Sequence, residues 1–440
     1  MNSSICFRRC AVQGALAAFL LIPGILPAAE SNSPAAPAVP ALTNLTVDQA
    51  VAEALARNPQ LESLRARLEA MKQRSAQAGA LPDPTIKYSG MDAADGGNFP
   101  DTNEKRLMVE QAFPWFGKRD LRSGEAEKDA ETMQQDYGAA SLDVVMRVKE
   151  TCYDLHAVQR SEAITRSEAD VLGQMEETAR SQYGTGKADL QDVTAAQAEV
   201  TMLRPRLLEL GSRETTLKAK LNMLLNRRAD APVGVTIADP PPPLTAGAAQ
   251  LSALAKEHRP EIKGAQAQVD KNQYAHRLMA KESYPDYALG LEYRSLRDSD
   301  DLVMFTAAVS LPIWRSKYSA GVREAEQMVE SSKAMRESTE REVSFDVQDA
   351  YAKAVTAAQT EDLYAKTLIP QAQARFTAAA AGYRAGKADF LTVLESERFL
   401  LNARGMQATA EGDLCMAWAR LERAVGLDWR SIQESEGTKQ

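Results

Sequence analysis

The sequence predicts a duplicated, mainly α-helical chain that carries four β-strands in two hairpins. Three observations point there. A turn motif returns at an offset of 200 residues, helical stretches of some 65 residues run without proline, and paired runs of about nine residues alternate between two kinds of side chain. The 440 residues are 44% hydrophobic and 6% aromatic, with 52 Lys+Arg against 60 Asp+Glu and a net charge of −8. Such averages exclude a polytopic helical membrane protein, a collagen and a disordered tail. The acidic balance also argues against nucleic acid as a partner, because binding it requires Lys and Arg to neutralise phosphates. Three histidines and four cysteines leave little material for a metal enzyme or a disulfide scaffold.

Residues 1–29 read as a secretory signal: Arg8 and Arg9, an apolar stretch from Ala11 to Leu26, then Ala28 and Ala29. A membrane anchor is the alternative, disfavoured by Pro23 and by the short length. Cys6 and Cys10 leave with the signal, and no cysteine follows it to accept a lipid. Cys152 and Cys415 remain at core-like helical positions, where buried free thiols are expected and pairing stays open. Residues 30–45, rich in Pro and Ala, read as a linker.

Two repeats follow, over 46–228 and 246–427. Tyr183-Gly-Thr-Gly186-Lys187-Ala188-Asp189 returns as Tyr383-Arg-Ala-Gly386-Lys387-Ala388-Asp389. Asn58-Pro59 answers Arg259-Pro260, and Phe113-Pro114-Trp115 answers Leu311-Pro312-Ile313. The connector at 229–245 holds four prolines, Pro240 to Pro243, which cannot be helical and make a stiff extended joint. Residues 428–440 read as a C-terminal tail.

Each repeat starts with a short helix, Val47 to Arg57 in the first, that stops because the residue before a proline is pushed out of the helical region. A second helix runs to about Gly79, and then the period drops to two. The strand hairpins fall at about 85–113 and 286–311. In the second, Tyr287, Leu289, Leu291 and Tyr293 alternate with Ala288, Gly290, Glu292 and Arg294, and the partner run carries Val303, Phe305, Ala307, Val309 and Leu311. The first hairpin is weaker, with Ile86, Tyr88, Leu107, Val109 and Phe113. Strands of this length suit a transmembrane β-barrel, and a soluble sheet with one buried face fits them equally well. Lys118 to Tyr183 then predicts one helix near 100 Å long, at about 1.5 Å per residue. Its seam is Val145, Val148, Cys152 and Leu155. The returning helix carries Val193, Val200, Leu203, Leu207, Leu210, Leu217, Leu221 and Leu224, and the second half Leu391, Leu394, Leu401, Leu414, Leu421 and Val425. Such spacing is that of coiled coils, with kinks expected at Pro205 and Pro370.

Four strands cannot close a barrel, and open strand edges are not tolerated in lipid, so other subunits must complete it. With the motifs Gln111-Ala-Phe-Pro114-Trp115-Phe-Gly117-Lys118-Arg119 and the two Tyr-x-x-Gly-Lys-Ala-Asp turns, the chain resembles the TolC-like outer-membrane efflux family over about residues 46–427. The Pro-Trp-Phe-Gly-Lys-Arg exit and Leu221 to Arg228 are most similar to its heavy-metal branch, the CusC- or CzcC-like proteins. The resemblance implies a homotrimer with a 12-stranded transmembrane β-barrel in outer-membrane lipid, on long helical hairpins forming an α-barrel across the periplasm. It also implies two protein partners: a periplasmic adaptor (membrane fusion protein) and an inner-membrane pump of the RND type. The substrate class implied is heavy-metal cations. Drug efflux or type I secretion by a duct of the same family is the alternative, followed by a periplasmic coiled-coil structural or adaptor protein.

In the resemblance the two glycine turns are periplasmic tips where the adaptor docks, which singles out Tyr183, Gly186, Lys187, Arg384, Gly386 and Lys387. Asp192 and Tyr383 match a gate aspartate and the tyrosine it contacts. The family's pair of pore-facing acids falls on Thr392 and Glu395, so only Glu395 is acidic, and a trimer would set three copies around one axis, where like charges resist joint ionisation. A basic gate residue falls on Ala388, leaving Arg384 or Lys387 as substitutes. Glu110, Glu292 and Arg294 are lumen-facing background. Acidic loops at Asp92 to Asp101 and Asp298 to Asp301 read as solvated, and His156, His258 and His276 are isolated. No phosphate loop, nucleophile constellation or zinc signature occurs, so neither catalysis nor a cofactor is expected.

Overall fold

The computed structural model of the chain describes residues 44–91, 104–186, 188–236, 243–296 and 299–432, all within one unit, Thr43–Gln440. The expected signal, most of the first linker, the first acidic loop, Lys187, Asp298, the run Pro240 to Pro242 and the end of the tail lie outside the described residues. Strand β1 (Asn44–Thr46) leads into helices α1 (Val47–Arg57) and α2 (Pro59–Gly79), then strands β2 (Thr85–Met91) and β3 (Glu104–Phe113), the long α3 (Lys118–Gly184) and the returning α4 (Leu190–Leu224). After β4 (Gly234–Thr236) the order recurs as α5 (Ala248–His258), α6 (Pro260–Lys281), β5 (Tyr287–Leu296), β6 (Leu302–Val309) and α7 (Arg315–Leu363). A π-turn (Tyr364–Leu368) then joins α7 to α8 (Ile369–Arg384), which precedes the returning α9 (Phe390–Val425).

The two X-Pro breaks do equivalent work with different chemistry. Asn58 caps α2 by accepting from the Gln60 N–H (3.0 Å), and its amide donates to the Leu224 carbonyl (3.0 Å) at the end of α4. In the second half Arg259 donates to the Ala424 carbonyl (3.0 Å) near the end of α9 and to the Glu261 carboxylate (2.8 Å). Each break therefore satisfies carbonyls that a helix C-terminus leaves without partners.

All four long strands join one antiparallel sheet in the order β2-β3-β5-β6. The two hairpins meet along β3 and β5, in register from Glu104↔Leu296 to Phe113↔Tyr287. That register lines Ile86, Val109, Leu291 and Phe305 across one face, and Tyr88, Leu107, Tyr293 and Val303 beside them. These side chains are exposed, Phe305 by 87%. The opposite face carries Arg106, Glu104, Glu292 and Arg294 in ion pairs. Apolar rows on one side and an ion-paired lattice on the other are the two surfaces of a barrel wall with lipid outside and water within.

Helix α3 is the common spine. At 67 residues it rises about 100 Å, and it packs on α2 and α4 of its own half and on α6 and α9 of the other. One apolar cluster serves the first half (Ala50, Leu61, Val148, Leu155, Leu221, Leu225) and another the second (Leu251, Val347, Trp418, Leu421, Val425). A third joins both halves near the helical turns, where Leu172, Val193 and Leu203 meet Phe390, Leu394 and Leu401. Cys152 and Cys415 are free, and burial pushes the Cys152 thiol up to about 12.

Several expectations need correction. Residues 44–45 and 234–236, read as linker, form the parallel pair β1–β4, and Leu45 is buried in the first core. Three-residue strands are too short to show a period. Ile432, in the expected tail, is buried in the second core. The α3 seam uses Val144 rather than Val145, and Leu391 is exposed while Phe390 and Leu394 face inward. Ahead of Pro370 the ladder shifts to a π-turn, in which the Ile369 N–H reaches the Tyr364 carbonyl.

At the strand-to-helix exit the Trp115 ring stacks on Tyr284 (centroids 5.6 Å apart), and the Trp115 backbone N–H donates to Asp286 (2.7 Å). Lys118, 0% exposed, donates to Asp286 (2.9 Å), Glu282 (3.3 Å) and the Tyr284 carbonyl (3.1 Å). Breaking such a pair by removing one partner strands the other charges. Lys118→Met is expected to lower unfolding free energy by about 1 kcal/mol, because Glu282 and Asp286 stay partly solvated and Glu282 keeps Arg122, read as an earlier denaturation midpoint of the detergent-solubilised protein. An unchanged midpoint would show the junction to be dispensable.

Candidate functional site

The two helical turns are built alike. At the first, Gly186 adopts φ +70° and its N–H donates to the Tyr183 carbonyl (3.0 Å). At the second, Gly386 adopts φ +67° and donates to the Tyr383 carbonyl (3.0 Å), while the Lys387 N–H reaches the Gly382 carbonyl (2.8 Å). A left-handed residue is what lets a helix stop and reverse, and a side chain there is strained. The returning helices are capped by Asp189 and Asp389 at equivalent positions. The Asp389 carboxylate accepts from the Thr392 N–H (3.0 Å), whereas Asp192 accepts from the Asp189 N–H (3.4 Å). Anionic caps suit the partial positive charge at a helix N-terminus.

The two turns are tied together by one residue of the expected gate. The Tyr383 hydroxyl donates to Gln182 Oε1 at 2.6 Å, from the end of α8 to the end of α3. Its ring meets Phe390 edge-on, centroids 5.8 Å apart. Burial raises the Tyr383 pKa, and the negative charge of Asp192 raises it further. Tyr383 and Asp192 are therefore brought into one electrostatic neighbourhood, with Gln182 as the hydrogen-bond acceptor. Sequence reasoning missed Gln182, whose position directly before Tyr183 was its only signal.

The remaining expected residues do not join that cluster within one chain. Glu395 is exposed and forms no hydrogen bond or ion pair among the described residues. Arg384 donates to its own helix at the Ala380 carbonyl (3.3 Å), so it does not replace the basic residue missing at Ala388. Thr392 is committed to Asp389, the cap of α9, to which both its N–H and its hydroxyl donate. Tyr183, Gly186, Arg384, Gly386 and Lys387 are exposed on the turns, and Lys187 lies outside the described residues. On the sheet, Glu292 and Arg294 sit in the ion-paired face, and Glu110 pairs with Lys87 (3.3 Å). Among the described residues no group of three or more His, Cys, Asp or Glu could hold a metal ion, and no helix is long and apolar enough to cross a membrane. The arrangement offers a wall, a long helical stem and a hydrogen-bonded turn pair.

Comparison with known proteins gives a consistent picture. The sequence signature of the family described as "Outer membrane efflux protein" matches residues 50–227 and 251–427. The cobalt-zinc-cadmium resistance protein CzcC of Cupriavidus metallidurans is 25% identical over 391 residues, covering 87% of this chain and 90% of that protein. Among solved structures, CusC superposes with a TM-score of 0.76 at 18% identity, covering 87% of this chain and 92% of that one. VceC of Vibrio cholerae superposes at 0.72 and 20% identity, covering 87% and 96%.

Tyr383→Phe removes the bond between the two turns. The expected cost is about 1 kcal/mol, which is an approximately fivefold faster amide hydrogen exchange around Gln182 and Arg384. Tyr183→Phe, at an exposed ring, is expected to leave exchange unchanged. Equal effects from both substitutions would remove Tyr383 as the tie.

Proposed function

The chain belongs to the outer membrane efflux protein family, and from that premise we propose that it is the exit duct for heavy-metal cations in a tripartite pump. The family's members are passive outer-membrane channels of tripartite efflux systems, and this chain is such a channel rather than an enzyme. The finer reading is a homotrimer whose 12 strands close one barrel, with the helical hairpins crossing the periplasm. An adaptor docks on the turns at Tyr183, Gly186, Lys187, Arg384, Gly386 and Lys387, and an RND-type inner-membrane pump supplies the energy. The observation that carries the duct is the four-stranded sheet with two open edges and an exposed apolar face, set on α3. The likeness to CzcC along nearly the whole of both chains supports the metal substrate.

The reading assigns the chemistry of passage to geometry. Metal ions pass along a polar inner surface without a resident binding site, so the duct needs no coordination cluster. The gate is the turn region. Tyr383 holds α8 against α3, Asp192 supplies charge beside it, and Glu395 faces the axis, where three copies concentrate negative charge at the entrance. An acidic ring favours cations through electrostatic attraction.

Cross-linking of outer-membrane extracts is expected to yield a detergent-requiring trimer, and a monomer recovered from the periplasmic extract would overturn the duct. A deletion strain is expected to become sensitive to cobalt, zinc or cadmium, with tolerance restored by the gene in trans. Sensitivity confined to antibiotics would overturn the metal substrate while leaving the duct intact.

A further inference from the structure

A few turns above the tips, the contact between α3 and α9 encloses two carboxyl groups. Glu168 on α3 is 1% exposed and Glu397 on α9 is 3% exposed. They sit on the same helix faces as Leu172, Leu394 and Leu401 of the cluster that joins the two halves. Arg404 donates to Glu168 Oε1 at 2.8 Å and to Gln373 Oε1 on α8 at 3.2 Å. One oxygen of each carboxyl, Glu168 Oε2 and Glu397 Oε2, is buried without a hydrogen-bond partner. Buried carboxylate oxygens are costly to leave without one, and two full negative charges facing a single guanidinium would repel across a dry contact.

A proton between the two carboxyls removes both difficulties: it supplies the missing donor and leaves one negative charge opposite the one positive charge of Arg404. We propose that Glu168 and Glu397 share one proton, and that this proton is a pH-sensitive latch holding α9 against α3 above the entrance. The latch rests on the reading of the turns as a gate. The charged groups acting on Glu397 are Glu168 from α3 and Arg404 from its own helix. From α8 comes the neutral Gln373, while Glu199 on α4 is engaged by Arg398 at 3.5 Å. No charge on α7 or on the π-turn acts on it.

Burial, with the hydrogen bond and charge of Glu168 added, raises the Glu397 carboxyl to about 8, and Arg404 opposes the rise. A folded-state value above the ordinary glutamate value means that the contact is fully stabilised at acid pH. Its stabilisation falls as pH rises toward 8 and is constant beyond. Loss of the proton leaves the second carboxylate unpaired, so α9 is released from α3 in the alkaline direction.

The full-length channel in planar bilayers, recorded from about pH 6 to about pH 10, is expected to open more often as pH rises and to level off above about 8. Glu397→Gln keeps the hydrogen-bond donor without the charge and is expected to abolish that pH dependence, holding the channel at its low-pH opening. Glu168→Gln is a second isosteric variant with the same expected result. A pH profile retained in both variants, or a flat profile in the wild type, would overturn the latch. Infrared difference spectra provide a readout independent of conduction: the wild type should show a protonated carboxylic acid at neutral pH that Glu397→Gln lacks. Absence of that band overturns the shared proton even if channels are recorded. Its presence in a protein that never conducts supports the shared proton and overturns the duct reading instead.

Discussion

Backbone hydrogen bonding at the edges of the sheet sets the terms for the whole molecule. Strands β2 and β6 each have one side paired within the chain and one side open. A row of N–H and C=O groups facing hydrocarbon has no water to turn to, and each unsatisfied group costs several kcal/mol. The exposed rows through Ile86, Val109, Leu291 and Phe305 are suited to hydrocarbon, and in the proposed duct the edges beside them are paired by strands from further copies. In that reading, closure by oligomerisation is the counterpart of a four-stranded contribution. It also explains why two hairpins, far apart in sequence, are held in register along β3 and β5.

The stem obeys a different constraint. A helix as long as α3 cannot be stabilised by its own propensity and depends on lateral packing. Its seam alternates Val, Leu and Ala with ion pairs that cross between the halves: Lys149 with Glu422, Glu150 with Arg420, and Asp143 with Arg423. Close approach is part of the same design. A Cβ on Gly412 would lie 2.7 Å from the Ala157 Cβ, so the α3–α9 contact there admits no side chain. The polar seam gives the halves a defined alignment, which a uniform leucine surface would specify less sharply. At Glu168 and Glu397 the same seam becomes sensitive to protonation, because a carboxyl takes the place of an apolar side chain on each helix.

Legibility differed from element to element. The period-two runs marked β5 and β6 closely, since Leu289, Leu291, Val303 and Phe305 share the one exposed apolar face and so must alternate. The glycine turns were legible because a positive φ has few other solutions. Strands β1 and β4 were hidden, being too short for any period and shaped by the core around Leu45. Gln182 escaped notice because its acceptor role exists only when α3 and α8 end side by side. Glu397 carried a readable signal, a charge at a seam position between Leu394 and Leu401, but its meaning depended on Glu168 lying opposite.

The sequence by itself determined the duplication, the long helices, the four strands with their apolar face, and the two reversals. Each of these is a local or periodic property, written in spacing that any single element must satisfy alone. Tertiary structure decided which residues meet: the Tyr383–Gln182 tie, the buried Lys118 junction and the Glu168–Glu397 pair. Those contacts join positions separated by more than 150 residues, and no spacing rule connects side chains that become neighbours only when one half packs on the other.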